Sequence, residues 1–305
     1  MTSHSDAEQI ADGVFAFVQP DGSWMINNAG FVAAPDGVAV IDASSTERRT
    51  RDLIGAVAKA SPAPIRTLIN THSHPDHTAG NGMFNWVTIV GHENARTEMK
   101  ALGLPRNGPI WSHVDYGDLQ LAPPFMTFTD QLTLWAGDLE CRLIYCGGPA
   151  HTNNDIVVWI PEHRVLFAGD LVFNGGTPFL LSGSVTGAID VLERFVKPLG
   201  ASTIVPGHGP VCGPEVIGDV LDYLRFVDRL AVEGIAAGVT PLELARATDL
   251  GKYAELTDPE RIVGNLHRAY ADHSTPEHLG APIDVMAALR HMVEYNGGRP
   301  LTCRA

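Results

Sequence analysis

Residues 72–77 read His-Ser-His-Pro-Asp-His, placing three imidazoles and one carboxylate within six positions. They follow the apolar run IRTLIN at 65–70. Imidazole suits Zn²⁺, and a carboxylate in the set also accommodates Fe or Mn. Burying so many polar groups without partners costs several kcal/mol, so the pattern calls for a compensating cation. A metal site draws ligands from more than one segment, and three further positions qualify. His151 stands in GGPAHTNND after LIYC, Asp170 closes LFAGD, and His208 lies in IVPGHGP after STIVP. Each is a His or Asp at the exit of an apolar run, flanked by glycine that lets backbone approach closely. The isolated histidines His4, His92, His113, His163, His273 and His278 carry no such pattern and are read as structural or surface residues.

The segments that must position these groups read as short strands separated by Gly, Pro and Asp turns. VFAFVQ (14–19), AGFVAA (29–34) and VAVIDA (38–43) are consecutive strands, the last two joined at Pro35-Asp36-Gly37. A helix over Thr46–Ala60 is stopped by Pro62 and Pro64, and IRTLIN then leads into the histidine cluster. TIVGH (88–92) is a strand and ENARTEMKAL (93–102) a helix. The Pro- and aromatic-rich stretch 103–127 is long for a connection and reads as a lid or pocket wall. QLTLWAG, LECRLIYCG, DIVVWIP and RVLFAGD give four strands in succession, and STIVPGHG (202–209) ends the β-rich part. From Pro214 the pattern is helical, with a capping box at Thr240 and Glu243. The spacing therefore predicts a mixed α/β core over 1–212 and a helical C-terminal extension over 213–305, together one functional unit.

Composition narrows the function classes. The chain has 305 residues, 45% of them hydrophobic and 18% charged, which suits a sizeable core and gives no sign of long disorder. Its net charge of −14 opposes a grip on a phosphate backbone, so nucleic acid is not an expected ligand. No apolar run reaches the ~18 residues of a spanning helix, and no membrane association is expected. The polar start MTSHSDAEQIADG lacks the basic-then-apolar layout of a signal peptide, which predicts a cytoplasmic protein. Cys141, Cys146, Cys212 and Cys303 fit neither a disulfide framework nor a zinc ribbon and read as buried, reduced thiols, a Cys141–Cys146 pair being the alternative.

HSHPDH, GPAH, AGD and PGHG, in that order and at those separations, resemble the metallo-β-lactamase-fold hydrolase superfamily over residues 12–212. The resemblance implies an αββα sandwich. It also implies that His72, His74 and His151 hold one zinc ion, that Asp76, His77 and His208 hold a second, and that Asp170 bridges them together with a water or hydroxide. Asp42 in VIDA matches a supporting carboxylate behind the histidine loop. Asp76 would orient the metal-bound hydroxide while serving as a ligand. Two divalent cations in this arrangement suit attack on an ester, thioester, lactone or amide, or stabilisation of an enolate. The bridging residue is Asp170, where the best-known antibiotic-destroying members carry Cys or Ser, which disfavours a β-lactamase. Net charge disfavours an RNase-type member, and a glyoxalase II pattern of basic glutathione-binding residues is not evident.

Within that superfamily, GPEVIGDVLDYLRFVDRLA (213–231), RIVGNLHRAYAD (261–272), MVEYNGGRPLTCRA (292–305) and FNGGTPFLLSGSV (173–185) resemble the actinorhodin-type second-ring cyclases of type II aromatic polyketide pathways. This implies a substrate held as a thioester on an acyl carrier protein, intramolecular aldol closure and dehydration of a second ring, and thioester hydrolysis for release. The alternative is a general thioesterase or lactone hydrolase of the same fold. A flat bicyclic product needs an aromatic slot, for which Trp111, Tyr116, Phe125, Phe173 and Phe179 are candidates, ordinary core packing being the alternative for each. His267 and Tyr295 are read as structural. Carrier proteins are acidic, as is this chain, so docking would require a local basic patch such as Arg48, Arg49 and Arg51.

Overall fold

Period-two burial over residues 156–160 explains the layering of the fold. Ile156, Val158 and Ile160 face one core, while Val157 and Trp159 face another. A strand covered on both sides has no position for a polar residue. The computed structural model describes residues 7–305, so His4 lies outside the described residues.

Among the described residues, the first sheet runs in sequence order: β1 (Glu8–Ala11), β2 (Val14–Phe17), β3 (Ala29–Ala34), β4 (Gly37–Ile41), β5 (Ile65–Ile69), β6 (Thr88–His92) and β7 (Met126–Phe128). Pairing is antiparallel as far as β4 and parallel from β4 to β7. The second sheet contains β8 (Gln131–Ala136), β9 (Leu139–Tyr145), β10 (Ile156–Ile160), β11 (Val165–Phe173) and β12 (Thr203–His208), in the order β12-β11-β10-β9-β8. Only its β11–β12 pair is parallel.

The sheets meet face to face. Val14, Val32, Ile41, Ile69 and Val90 pack against Leu143, Ile156, Val158, Ile160 and Phe167. On the outer face of the first sheet, Phe31, Val38, Val40 and Leu68 bury Leu53, Ala56 and Val57 of α1 (Glu47–Ala60). Thr46 caps α1 by accepting from Arg49 N. Two short helices follow, α2 (Pro75–Thr78) within the histidine loop and α3 (Glu93–Leu102) after β6.

The outer face of the second sheet is covered by α4 (Val185–Val191), α5 (Glu215–Ala237), α7 (Arg261–Ser274) and α8 (Val285–Tyr295), with α6 (Pro241–Ala247) packed beside them. Leu166 and Ile204 of the sheet share this core with Leu224, Val227, Ile262, Leu266 and Met292. The result is an αββα sandwich in which helices from the last third of the chain form one outer layer. Among the described residues no helix is long and apolar enough to cross a membrane. All four cysteines are free thiols.

Several expectations need adjusting. The strands expected over 14–19, 38–43 and 65–70 end at Phe17, Ile41 and Ile69; after the last two, the chain turns to Asp42, which meets His77, and to the histidine loop. The stretch 103–127 is not a free lid. Ser112 N donates to Leu301 O and Leu301 N donates to Ile110 O, so the C-terminal segment pins the loop around Trp111. Two of the three arginines in the Arg48–Arg51 patch face acidic neighbours, and the third bonds neutral acceptors. Arg48 lies 4.0 Å from Asp52, Arg51 pairs with Glu47, and Arg49 donates to Gln19 Oε1 and Arg304 O.

Candidate metal centre

The site lies where β5, β9, β11 and β12 end. His72 and His74 follow β5, Asp76 and His77 sit in α2, His151 lies in the loop after β9, Asp170 is within β11 and His208 ends β12. A register shift between β11 and β12 at Gly169 turns Asp170 towards the histidines. Gly169 has φ +52°, which disfavours a side chain there. Gly207 is required for closeness instead: a Cβ on it would fall 1.9 Å from Asp170 Oδ1 and 2.8 Å from Gly169 C. Gly207→Ala should therefore displace the Asp170 carboxylate and weaken metal binding about tenfold or more, read by chelator competition.

All seven predicted ligands come together in two groups that share one carboxylate. One donor atom from each of His72, His74, His151 and Asp170 lies within 4.8 Å of the others, and the same holds for Asp76, His77, Asp170 and His208. Asp170 Oδ2 is 3.3 Å from His151 Nε2, 3.4 Å from His208 Nε2 and 3.9 Å from His72 Nε2. Asp76 Oδ2 lies 3.2 Å from His208 Nε2 and 3.8 Å from His77 Nε2. Ligands about 2.1 Å from a tetrahedral ion stand roughly 3.4 Å apart, so these spacings fit. The buried His72 Nε2 has no hydrogen-bond partner, and His77 Nε2 and Asp170 Oδ1, 3.0 Å apart, have none beyond each other. Such orphaned atoms converging on one point are what a bound cation would satisfy.

The other ring nitrogens are tied outward, which fixes the rings. His77 Nδ1 meets Asp42 Oδ2 at 2.8 Å, His72 Nδ1 meets Thr71 Oγ1 at 3.1 Å, His151 Nδ1 meets Phe179 O at 2.6 Å, and His208 Nδ1 meets Gly22 O at 3.1 Å. Asp42 also accepts from Thr71 N and Thr71 Oγ1, both at 2.7 Å. It thus stands behind the histidine loop, where the resemblance places it. Burial holds the His72 imidazole well below its usual range, with the charge on His77 adding to the effect. Burial also pulls His151 down to about 3 despite Asp170. For His208 burial acts downward too, but Asp170 and Asp76 outweigh it and the value rises to about 9. His77 is likewise raised, by Asp170, Asp42 and Asp76 against burial. Burial pushes the Asp76 carboxyl up, yet His77 and His208 hold it at about 2.

A cleft opens onto both groups, with His74, Asp76, His151, Asp170 and His208 in its lining. Of the five candidate aromatics, Trp111, Phe173 and Phe179 line it. Tyr116 and Phe125 do not. Tyr116 is a half-buried residue whose carbonyl accepts from Glu47 N, and Phe125 is 85% exposed beside the edge strand β7. Sequence reading missed Trp24, Met25, Leu181, Arg261 and Leu289, which complete the walls. One signal for them was available. Arg261, Asn265, Arg268 and Asp272 recur at helical spacing along α7, and all four are buried. A polar stripe on the covered side of a helix must be hydrogen-bonded, and here it bonds the segment 177–185, which carries the cleft residues Phe179 and Leu181.

The model of the metallo-beta-lactamase superfamily matches residues 22–208, more than half of the chain. A metallo-beta-lactamase type 2 from Bacteroides fragilis is 26% identical over 221 residues, spanning 68% of this chain and 81% of its own. A hydroxyacylglutathione hydrolase from Rhodospirillum rubrum is 30% identical over 196 residues, 64% of each chain. The solved structure of a metallo-beta-lactamase from Pontibacter korlensis has a TM-score of 0.61 at 19% identity, covering 72% of this chain and 98% of that one, a likeness of fold. With the sandwich, the two ligand groups and the matched span in agreement, the chain belongs to the metallo-beta-lactamase superfamily of hydrolases.

Proposed function

We propose that the chain is a dinuclear zinc enzyme acting on a carbonyl of a flat, apolar substrate, and more narrowly a cyclase of carrier-bound aromatic polyketides with thioesterase activity. The observation that carries this reading is the convergence of Trp24, Trp111, Phe173 and Phe179 on a cleft whose far end holds both ligand groups. Trp24 meets Trp111 and Phe179 edge-on at 5.7 and 4.9 Å, giving a rigid aromatic wall. The cations held there would polarise a carbonyl oxygen and lower the pKa of a water. The chain's own part is to hold the ligand rings from outside, to orient the substrate between aromatic faces and to exclude bulk water. Asp76, 7% exposed and in the lining of the cleft, is placed to orient a nucleophile by accepting its hydrogen bond.

A thioester mimic of a one-ring polyketide, given to zinc-loaded protein, should yield a bicyclic product. Chelation should lower the rate to background, and added zinc should restore it. Hydrolysis of the same thioester without ring closure would instead support a second reading, general thioester hydrolysis, which the 30% identity to a hydroxyacylglutathione hydrolase favours. An acyl carrier protein remains the proposed partner. Because Arg48 and Arg51 are paired with acidic neighbours, recognition would rest on the pantetheine-linked substrate more than on charge.

A further inference from the structure

We propose that Asn265, on helix α7, is a positioning residue for the candidate ligand His151, acting through the peptide of Phe179. The inference rests on the metal-centre reading above and extends it to a part of the chain outside the matched span 22–208. Asn265 is fully buried. Its Oδ1 accepts from Leu180 N at 2.9 Å, and its Nδ2 donates to Pro178 O at 2.8 Å. One side chain therefore grips the backbone immediately before and immediately after Phe179. The Nδ2 group also donates to Tyr223 OH at 3.0 Å, which orients the amide from α5. The peptide so gripped presents Phe179 O to His151 Nδ1 at 2.6 Å, and this contact leaves Nε2 of the same ring facing the site, 2.7 Å from His74 Nδ1 and 3.3 Å from Asp170 Oδ2.

A carbonyl on a loop free to rotate would be a poor partner for an imidazole whose other nitrogen must meet a metal ion. Fixing the carbonyl from both flanks fixes the tautomer: with Phe179 O accepting, the Nδ1 position carries the hydrogen and Nε2 keeps its lone pair for the cation. The same grip holds the Phe179 ring against Trp24 in the cleft wall. Asn265 thereby ties a metal ligand and a substrate-facing surface to one helix.

The test compares wild-type protein with Asn265→Ala and with the milder Asn265→Asp, which keeps the acceptor for Leu180 N and loses the donor to Pro178 O. The first readout is the nitrogen NMR signature of His151 in metal-free protein, which separates this inference from the metal reading itself. Wild type should show the Nδ1–H tautomer, and both variants a mixture of tautomers. The second readout is zinc affinity by chelator competition. Binding at the group containing His151 should weaken roughly 10- to 100-fold in Asn265→Ala and less in Asn265→Asp. If Asn265→Ala does not fold, the Asn265→Asp tautomer decides the matter alone. Wild-type tautomer and zinc affinity in a folded variant would overturn the proposal. A wild-type protein that binds no zinc but loses the His151 tautomer on substitution would leave the positioning role standing and remove the metal reading.

Discussion

Replacing Asp170 with Asn should reduce turnover of any carbonyl substrate by roughly 10³-fold, equivalent to about 4 kcal/mol of transition-state stabilisation. The carboxylate is the one group common to both ligand clusters, so its loss damages both. Its Oδ2 is 3.3 Å from His151 Nε2 and 3.4 Å from His208 Nε2, one from each group. Asparagine keeps the shape of the side chain but supplies no anionic oxygen to share. Zinc content measured on the purified variant should fall below two per chain, with steady-state rates falling in parallel. A variant that kept full metal content and full rate would mean that Asp170 serves only to neutralise His77 and His208. The catalytic reading would then be lost.

Asp42→Ala should have the second-largest effect, and on stability as well as on metal. The carboxylate is 2% exposed and accepts from Thr71 N, Thr71 Oγ1 and His77 Nδ1. Removing it strands three buried donors, one of them on an imidazole held above its normal pKa by its carboxylate neighbours against burial. Breaking a buried ion pair in this way costs about 3–5 kcal/mol, measurable as a lower urea midpoint. Asp42 also sits at φ +60°, a conformation in which Asp and Asn are enriched and Ala is not. Asp42→Asn should therefore fold better than Asp42→Ala, because it keeps the backbone conformation and one acceptor oxygen, yet less well than the wild type. It should still weaken zinc binding roughly 10- to 100-fold, because an amide cannot hold both Thr71 and the His77 N–H as the carboxylate does.

Much of the centre was legible because its chemistry is local. His72, His74, Asp76 and His77 share one turn, and His151, Asp170 and His208 each follow an apolar run that is plain in the sequence. The cleft was less legible because its walls are built from distant segments. Trp24 Nε1 donates to Glu260 Oε1 across 236 positions, and the Arg261 guanidinium lies 4.1 Å from the Trp24 ring. Neither pairing leaves a periodic trace. Proximity along the chain misled for Phe125 and Tyr116. The loop that carries Trp111 is aimed by its pairing with Leu301, which is adjacent in space but close to the C-terminus in sequence. Strand β1 and helix α4 were also missed. The first has exposed or half-buried residues throughout, and the second, VTGAIDV, combines β-branched residues with a glycine, which weakens any helical signal.

Anomalous diffraction at the zinc absorption edge, from crystals of protein grown with zinc, addresses the centre most directly. Two peaks should lie roughly 3.5–4 Å apart, one among His72, His74 and His151 and the other among Asp76, His77 and His208, with Asp170 between them. A single peak, peaks elsewhere, or none at all would contradict a dinuclear centre on these residues.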